Sequence, residues 1–120
     1  MNKTNTEKLI KTFPYLYSDS FGFECDDGWF NLLFGLSTAI GICKDIHQNV
    51  PEYVDYSIFQ VKEKFGNLRY YPKHTLDPLS MHIITTYEDY SSTICESCGS
   101  NNNAILTLTN RWTRLCDICR

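Results

Sequence analysis

Four cysteines near the C-terminus constrain this chain more than any other feature of its sequence. They form two pairs, CESC (Cys95 and Cys98) and CDIC (Cys116 and Cys119), separated by seventeen residues. Two residues between the cysteines of a pair allow both sulfur atoms to reach one ion, and two such pairs complete a tetrahedron. The spacing predicts a structural zinc ion held by all four cysteines, and two disulfides or four free thiols are the alternatives. A catalytic zinc is disfavoured because four thiolates leave no open coordination position.

The segment between the two pairs predicts a zinc ribbon over residues 93–120. Residues 104–108 and 112–115 have the composition of two short strands that turn at Asn110 and Arg111. A unit this short cannot supply its own hydrophobic core, whereas structural zinc contributes on the order of 10 kcal/mol to the folding of such peptides. We therefore expect a core domain over residues 1–92, with the ribbon packed on it as one compact domain.

Composition and charge limit the class of protein. The chain has 120 residues, of which 42% are hydrophobic and 21% charged, as expected for one globular domain. Its N-terminal segment has no apolar run that resembles a secretory signal, and no stretch approaches the roughly 20 apolar residues of a membrane helix. The sequence predicts a cytoplasmic protein without a membrane partner, in a compartment that keeps thiols reduced. A formal net charge of −3 argues against a sequence-independent coat for nucleic acid.

Three helices are predicted in the core domain. Thr4 or Asn5 is expected to cap a short helix that ends at Lys11. Asp77 followed by Pro78 is typical of an N-cap and first helical residue, and this third helix should end near residue 91. Its apolar face is predicted to consist of Leu79, Ile83, Tyr87 and Tyr90.

The second helix has the clearest amphipathic pattern, and we expect it to be capped by Asp26 or Asp27. Capping also accounts for the acidic cluster that these two residues form with Glu24. The helix should end near residues 47–49, before Pro51. Its apolar stripe contains Trp29, Leu32, Leu33, Leu36, Ile40 and Cys43. Cys43 is thus predicted to be a small core residue, and Cys25 is treated in the same way.

Residues 56–63 and 68–71 are rich in β-branched and aromatic side chains, and they predict two antiparallel strands joined by a turn over residues 64–67. The resulting fold class is α+β. Two to three helices pack on a small antiparallel β-sheet or hairpin, and a C-terminal zinc ribbon follows.

Two groups of side chains are candidates for partner binding. The predicted hairpin carries basic residues interleaved with aromatic ones, which can contact phosphates or stack on bases, namely Lys62, Lys64, Phe65, Arg69 and Tyr70. A solvated strand edge protected by lysines is the alternative. Phe30 and Phe34 lie off the main stripe of the second helix, where they either widen the core face or offer a partner surface.

Three motifs, FPYLYSDSFGFECDDGWFNLL, VKEKFGNLRYY and the paired CxxC, resemble a family of small uncharacterised proteins of phages and bacteria. Members of that family commonly read ECGDGW and KFGGLRFY at the first two motifs. Asn67 stands where the family has glycine, and asparagine tolerates a left-handed turn conformation. The resemblance implies no activity, but it implies a phage-type accessory factor that binds a host or viral macromolecule.

The predicted function is therefore a zinc-stabilised, non-enzymatic binding protein, for example one that binds or inhibits a component of a host defence system. Its partner is expected to be a protein because tyrosines that could lie at the surface are abundant, namely Tyr15, Tyr17, Tyr53, Tyr56, Tyr70 and Tyr71. Nucleic-acid binding through the ribbon and the hairpin over residues 62–73 is the alternative. No nucleophile beside a base, phosphate-binding glycine loop or open metal site indicates an enzyme. The oligomeric state is left open.

Overall fold

Three α-helices pack against a small β-sheet in the computed structural model, which describes residues 1–120. The helices are α1 (Lys3–Thr12), α2 (Phe30–Ile46) and α3 (Pro78–Ser91). Short 3-10 helices over Asp27–Trp29 and Pro51–Tyr53 flank α2. No helix combines the length and the apolarity that a membrane span requires.

The strands form two sheets. The core sheet contains β1 (Phe23–Glu24), β2 (Ile58–Lys64) and β3 (Asn67–Pro72), in that order. The second sheet is a hairpin of β4 (Ile105–Leu108) and β5 (Trp112–Leu115). The predicted α+β fold is confirmed, including both hairpins and the C-terminal position of the cysteine cluster.

Strand β1 was not predicted from the sequence. It pairs with β2 in parallel, with Phe23 opposite Val61 and Glu24 opposite Lys62. Two residues are too few to show the alternation by which strands are recognised, and a parallel pair joins segments that are distant in the chain. The expectation of a purely antiparallel core sheet is therefore corrected at this edge.

The N-termini of α1 and α3 show local capping. The side chain of Asp77 accepts a hydrogen bond from the Ser80 amide at 2.9 Å, and Pro78 follows as the first helical residue, as predicted. Helix α1 begins earlier than expected, because the side chain of Asn2 accepts from the amide of Asn5 at 2.8 Å. The prediction of Thr4 or Asn5 as the cap is wrong by two or three residues, because asparagine and threonine both cap helices well and the sequence does not distinguish among these positions.

Asp26 and Asp27 do not cap α2, which corrects the second capping prediction. No side-chain cap is present at Asp26. The Asp27 carboxylate instead accepts from the backbone amide of Asn2 at 2.7 Å and from the Asn5 side chain at 3.2 Å. Asp27 therefore fixes the start of α1 across the fold, a contact that local spacing cannot reveal.

The predicted apolar face of α3 is half right. Ile83 and Tyr87 pack against the core as predicted. Leu79 and Tyr90 are exposed instead, whereas Ile84 and Ser91 are buried. The buried face is partly polar because α3 covers the edge of β3. There Glu88 accepts from the Tyr70 amide and Ser91 accepts from the Leu68 amide, both at 2.9 Å.

The core contains a hydrogen-bonded group of polar side chains. The Tyr17 hydroxyl contacts the Ser37 hydroxyl at 2.6 Å and the Tyr70 hydroxyl at 2.7 Å. Burial raises the pKa of both tyrosines well above the ordinary value. Tyr56 is also buried, and its hydroxyl donates to Asp77 at 2.7 Å. The prediction that these three tyrosines are surface residues is wrong, because their hydroxyls have partners inside the protein.

Candidate metal centre and its contact with the core

The two CxxC pairs converge on one point, as the spacing predicts. The Sγ atoms of Cys95, Cys98, Cys116 and Cys119 all lie within 4.8 Å of one another. The Sγ atoms of Cys98 and Cys116 are 3.6 Å apart, far beyond the roughly 2.05 Å of a disulfide. A tetrahedral ion with metal–sulfur bonds of about 2.3 Å requires sulfurs roughly 3.8 Å apart. The four side chains thus fit a metal ion, and the structure confirms a cluster that can hold one.

Two thiols of the cluster have pKa values that are shifted in opposite directions. A backbone amide hydrogen bond from Cys119 lowers the pKa of Cys116 to about 6. The thiol of Cys98, followed by that of Cys116, raises the pKa of Cys119 to about 12. One thiolate therefore disfavours the next, since like charges at this distance repel. A bound divalent cation removes this conflict and allows all four ligands to ionise.

Glu96, inside the first CxxC pair, is the central residue of the contact between ribbon and core. Its side chain is fully buried at 0% exposure. One carboxylate oxygen accepts from the Asp26 amide at 3.1 Å, and the backbone carbonyl accepts from the Gly28 amide at 2.7 Å. Burial raises the pKa of Glu96, and hydrogen bonds from Arg111 and Asp26 oppose that shift.

Arg111 neutralises this buried carboxylate. Its guanidinium contacts both oxygens of Glu96, at 3.0 and 3.3 Å. The same group reaches Glu63 on β2 at 3.1 Å and Asp26 at 3.3 Å. Three carboxylates from three parts of the chain therefore meet one arginine at the tip of the β4–β5 hairpin.

Glu96 and Arg111 were not predicted as partners from the sequence. A glutamate between two cysteines is usually read as solvated, and nothing in the spacing indicates that it meets an arginine at the predicted turn. Their proximity depends on how β5 packs against the first CxxC pair, where the Glu96 amide donates to the Arg114 carbonyl at 2.8 Å.

Gly28 is required where the turn formed by Cys95 and Cys98, the first cysteine knuckle, approaches the core. A Cβ atom at this position would lie 2.3 Å from the backbone carbonyl oxygens of Cys95 and Glu96. No side chain can be tolerated at that distance without displacing the knuckle. Trp29, the next residue, donates from its indole nitrogen to the Ile94 carbonyl at 3.1 Å. These contacts join residues 93–120 to the core, while the boundary at residues 92 and 93 stays a prediction.

The turn between β2 and β3 has an unusual conformation. Lys64 pairs with Asn67, so the turn consists of Phe65 and Gly66, which have φ angles of +51° and +76°. Two positive φ angles in sequence are typical of a hairpin turn that prefers Asn-Gly. Asn67 lies in β3 instead, so the left-handed conformation that asparagine tolerates is not used at this position. The strain falls on Phe65.

Phe65 and the ribbon form the two walls of an exposed groove. The groove has a volume of about 450 Å³, and it is lined by Glu63, Lys64, Phe65, Leu108, Asn110, Arg111 and Trp112. Phe65 is 65% exposed, and Leu108 and Trp112 are also exposed. We call this feature the ribbon groove. Sequence reasoning selected Lys64 and Phe65 for partner binding but missed Leu108 and Trp112, which become neighbours of Phe65 only in the folded protein.

The other predicted partner-binding residues are scattered. Tyr70 is only 2% exposed, so its assignment to a binding surface is corrected. Lys62 and Arg69 face each other across β2 and β3 and are half-buried. Phe30 and Phe34 pack against the core with Lys8 over their rings, at 5.8 and 5.7 Å from the centroids. The structure thus brings Lys64 and Phe65 to the ribbon groove and places Phe30 and Phe34 elsewhere.

Replacement of Phe65 by asparagine is expected to stabilise the protein by about 0.5–1 kcal/mol. Asparagine adopts a left-handed backbone conformation at lower cost than phenylalanine, and the exposed ring loses little burial. Urea denaturation of wild type and Phe65→Asn measures the difference. Phe59→Asn serves as the control, because Phe59 is 67% exposed on β2 and its replacement should destabilise the strand slightly. A loss of stability in Phe65→Asn would contradict the assignment of strain to this turn.

Comparison with family models, with curated proteins and with solved structures finds no match to this chain.

Proposed function

We propose that this protein is a non-enzymatic binding protein whose C-terminal ribbon is held by one structural zinc ion. The observation that carries the proposal is the closed cluster of four cysteines at the base of a hairpin whose tip lines an exposed groove. Four tetrahedral thiolates suit Zn²⁺, and iron is the other common metal for such a set. The metal would fix the ribbon and so hold Leu108 and Trp112 in place opposite Phe65.

A protein partner is favoured over nucleic acid because the arginines of the ribbon are already engaged. Arg111 contacts three carboxylates. Arg114 donates to the Gly66 carbonyl and the Asn67 side chain, and Arg120 pairs with Asp117. Two of these three arginines are therefore paired with carboxylates, and the third is held against the β2–β3 turn. Large apolar side chains are exposed on the ribbon, as is typical of protein-binding surfaces.

Nucleic-acid binding is the second candidate. Lys62 and Lys64 form no ion pair, and they lie close in sequence to the exposed ring of Phe65. Single strands bind to such combinations of basic and aromatic side chains. This candidate requires an affinity that rises steeply as salt is lowered and falls when Lys62, Lys64 and Arg69 are neutralised.

The proposed setting follows from the resemblance to small phage and bacterial proteins. A phage-type accessory factor in the cytoplasm of a host cell would bind a host macromolecule, such as a component of a defence system. The closed metal site and the exposed groove suit such a role, because binding a macromolecule requires neither an open metal position nor a catalytic residue.

Affinity capture with the metal-loaded protein tests this function. We expect one stoichiometric protein partner from a lysate of the native host, and about one equivalent of zinc by elemental analysis. The variant Leu108→Asp, which places a charge in the ribbon groove, is expected to reduce recovery at least about tenfold, whereas Phe59→Ser, at an exposed site on β2, should not. Recovery of no stoichiometric protein, or of nucleic acid alone, would contradict the proposal.

A further inference from the structure

The outer edge of β4 has free main-chain hydrogen-bonding groups. The carbonyl of Arg114 accepts from the Glu96 amide at 2.8 Å, so this residue of β5 points its main-chain groups away from β4. Leu106 is directly opposite Arg114. In an antiparallel pair, two opposite residues either exchange main-chain hydrogen bonds with each other or both point their main-chain N–H and C=O groups outward. The N–H and C=O groups of Leu106, and by the same alternation those of Leu108, therefore point away from β5, and no other segment pairs with β4.

The protein covers the comparable edge of its core sheet. The outward amides of Leu68 and Tyr70 on β3 are taken by side chains of α3, namely Ser91 and Glu88. Strand β4 has no such cover. Its sequence, ILTL, also contains no charged residue or proline, which are the usual means by which an exposed edge avoids pairing with another chain.

The free edge adjoins the ribbon groove. Leu106 and Leu108 share one face of the hairpin with Trp112 and Arg114, because these residues are paired in register. Gly66 lies against that face, close to Leu106, and Phe65 extends from it into solvent. A strand added to β4 would thus place alternate side chains beside an open groove of about 450 Å³.

One unpaired cation at this groove offers a contact to a carboxylate. Glu63, Asp26 and Glu96 are all bound to Arg111, whereas Lys64 is exposed and has no ion pair. A second copy of β4 could supply the main-chain groups, but its four residues offer no carboxylate to Lys64. An acidic, extended segment of another protein can bond to the free main-chain groups of β4 and can also present a carboxylate to Lys64.

We propose that the outer edge of β4 accepts an extended strand from a partner protein. Main-chain bonds to Leu106 and Leu108 hold the strand, one large apolar side chain of the partner fills the ribbon groove between Phe65 and Trp112, and a carboxylate contacts Lys64. This inference rests on the proposed function and names the surface and the kind of segment that it binds.

The test uses the full-length, zinc-loaded protein and a synthetic peptide of about seven residues. The peptide has a central phenylalanine, alternating threonine and valine, and an aspartate at each end. NMR titration is expected to show saturable shifts at the amides of Leu106 and Leu108, and their hydrogen exchange should slow by at least about tenfold. The Thr107 amide already faces β5, so it should change less. A peptide methylated on alternate backbone nitrogens is expected not to bind.

Two variants separate strand pairing from general adhesion. Leu108→Pro removes an outward N–H but leaves the bonds between β4 and β5, and it should abolish binding. Lys64→Glu should lower the affinity for the aspartate peptide by about tenfold and raise the affinity for a matched peptide with terminal lysines. Phe59→Ser is the control and should bind as wild type does.

Several results would overturn the inference. These are equal binding of the aspartate and lysine peptides, the absence of saturable binding, or shifts that spare Leu106 and Leu108. Concentration-dependent pairing of β4 without peptide would assign the edge to a second copy, and tighter binding of oligothymidine would assign the groove to nucleic acid. If the native partner binds Leu108→Pro and Lys64→Glu like wild type, this inference fails while the proposed function stands.

Discussion

Removal of the metal is expected to unfold the ribbon and to leave the core folded. The apolar cluster of the ribbon has only three buried residues, Cys95, Leu115 and Cys116, and two of them are candidate ligands. The core cluster contains 18 buried residues and none of the four clustered cysteines. Structural zinc contributes on the order of 10 kcal/mol in comparable peptides, which nothing else in the ribbon can replace.

Chelation under reducing conditions, followed by NMR and limited proteolysis, measures this effect. We expect cleavage within residues 93–120 and retention of a core fragment. Cys116→Ser should give the same result without chelator, because it removes a buried ligand. Cys43→Ser is the matched control, since Cys43 is equally buried but lies on α2 outside the cluster. An ordered ribbon in metal-free protein would contradict the prediction.

Arg111→Ala is expected to lower the free energy of unfolding by about 3 kcal/mol. The substitution leaves the fully buried carboxylate of Glu96 without its counter-charge, and such unpaired groups typically cost about 3–5 kcal/mol. We expect the lower end of that range because a third of the Arg111 side chain is exposed, with 36% of its surface accessible. Urea denaturation with saturating zinc measures the change.

The control for this prediction is Arg69→Ala. Arg69 is half-buried and forms no ion pair, and its guanidinium donates only to the neighbouring Leu68 carbonyl. The double variant Glu96→Gln/Arg111→Ala should recover part of the loss, since a neutral amide is cheaper to bury unpaired than a carboxylate. Equal costs for Arg111→Ala and Arg69→Ala would contradict the role assigned to this ion pair.

Elements whose signals are local in the chain could be predicted. The two CxxC pairs are each defined by four consecutive residues, and the structure brings them together as expected. The same holds for the cap at Asp77, for α2 and for both hairpins. In each case a short pattern carries the information, because capping, helical periodicity and turn formation act over a few residues.

Features that depend on distant contacts could not be predicted. Asp27 fixes the start of α1, β1 needs β2 as its partner, and the buried face of α3 is chosen by the edge of β3. The burial of Tyr70 could not be predicted either, because aromatic residues occur in cores and at interfaces alike.

The sequence by itself determined that four cysteines meet at the end of an α+β fold, since the spacing of the two CxxC pairs allows all four side chains to reach one ion. Only the tertiary structure decided what surrounds that site. Arg111 joins Glu96 of the ribbon to Asp26 and Glu63 of the core, and Gly66 of the β2–β3 turn lies against Leu106 of β4. Both contacts arise where segments far apart in the chain meet. A contact between two distant residues produces no periodic pattern in a single sequence. Neither residue of such a pair can therefore be recognised from the sequence alone.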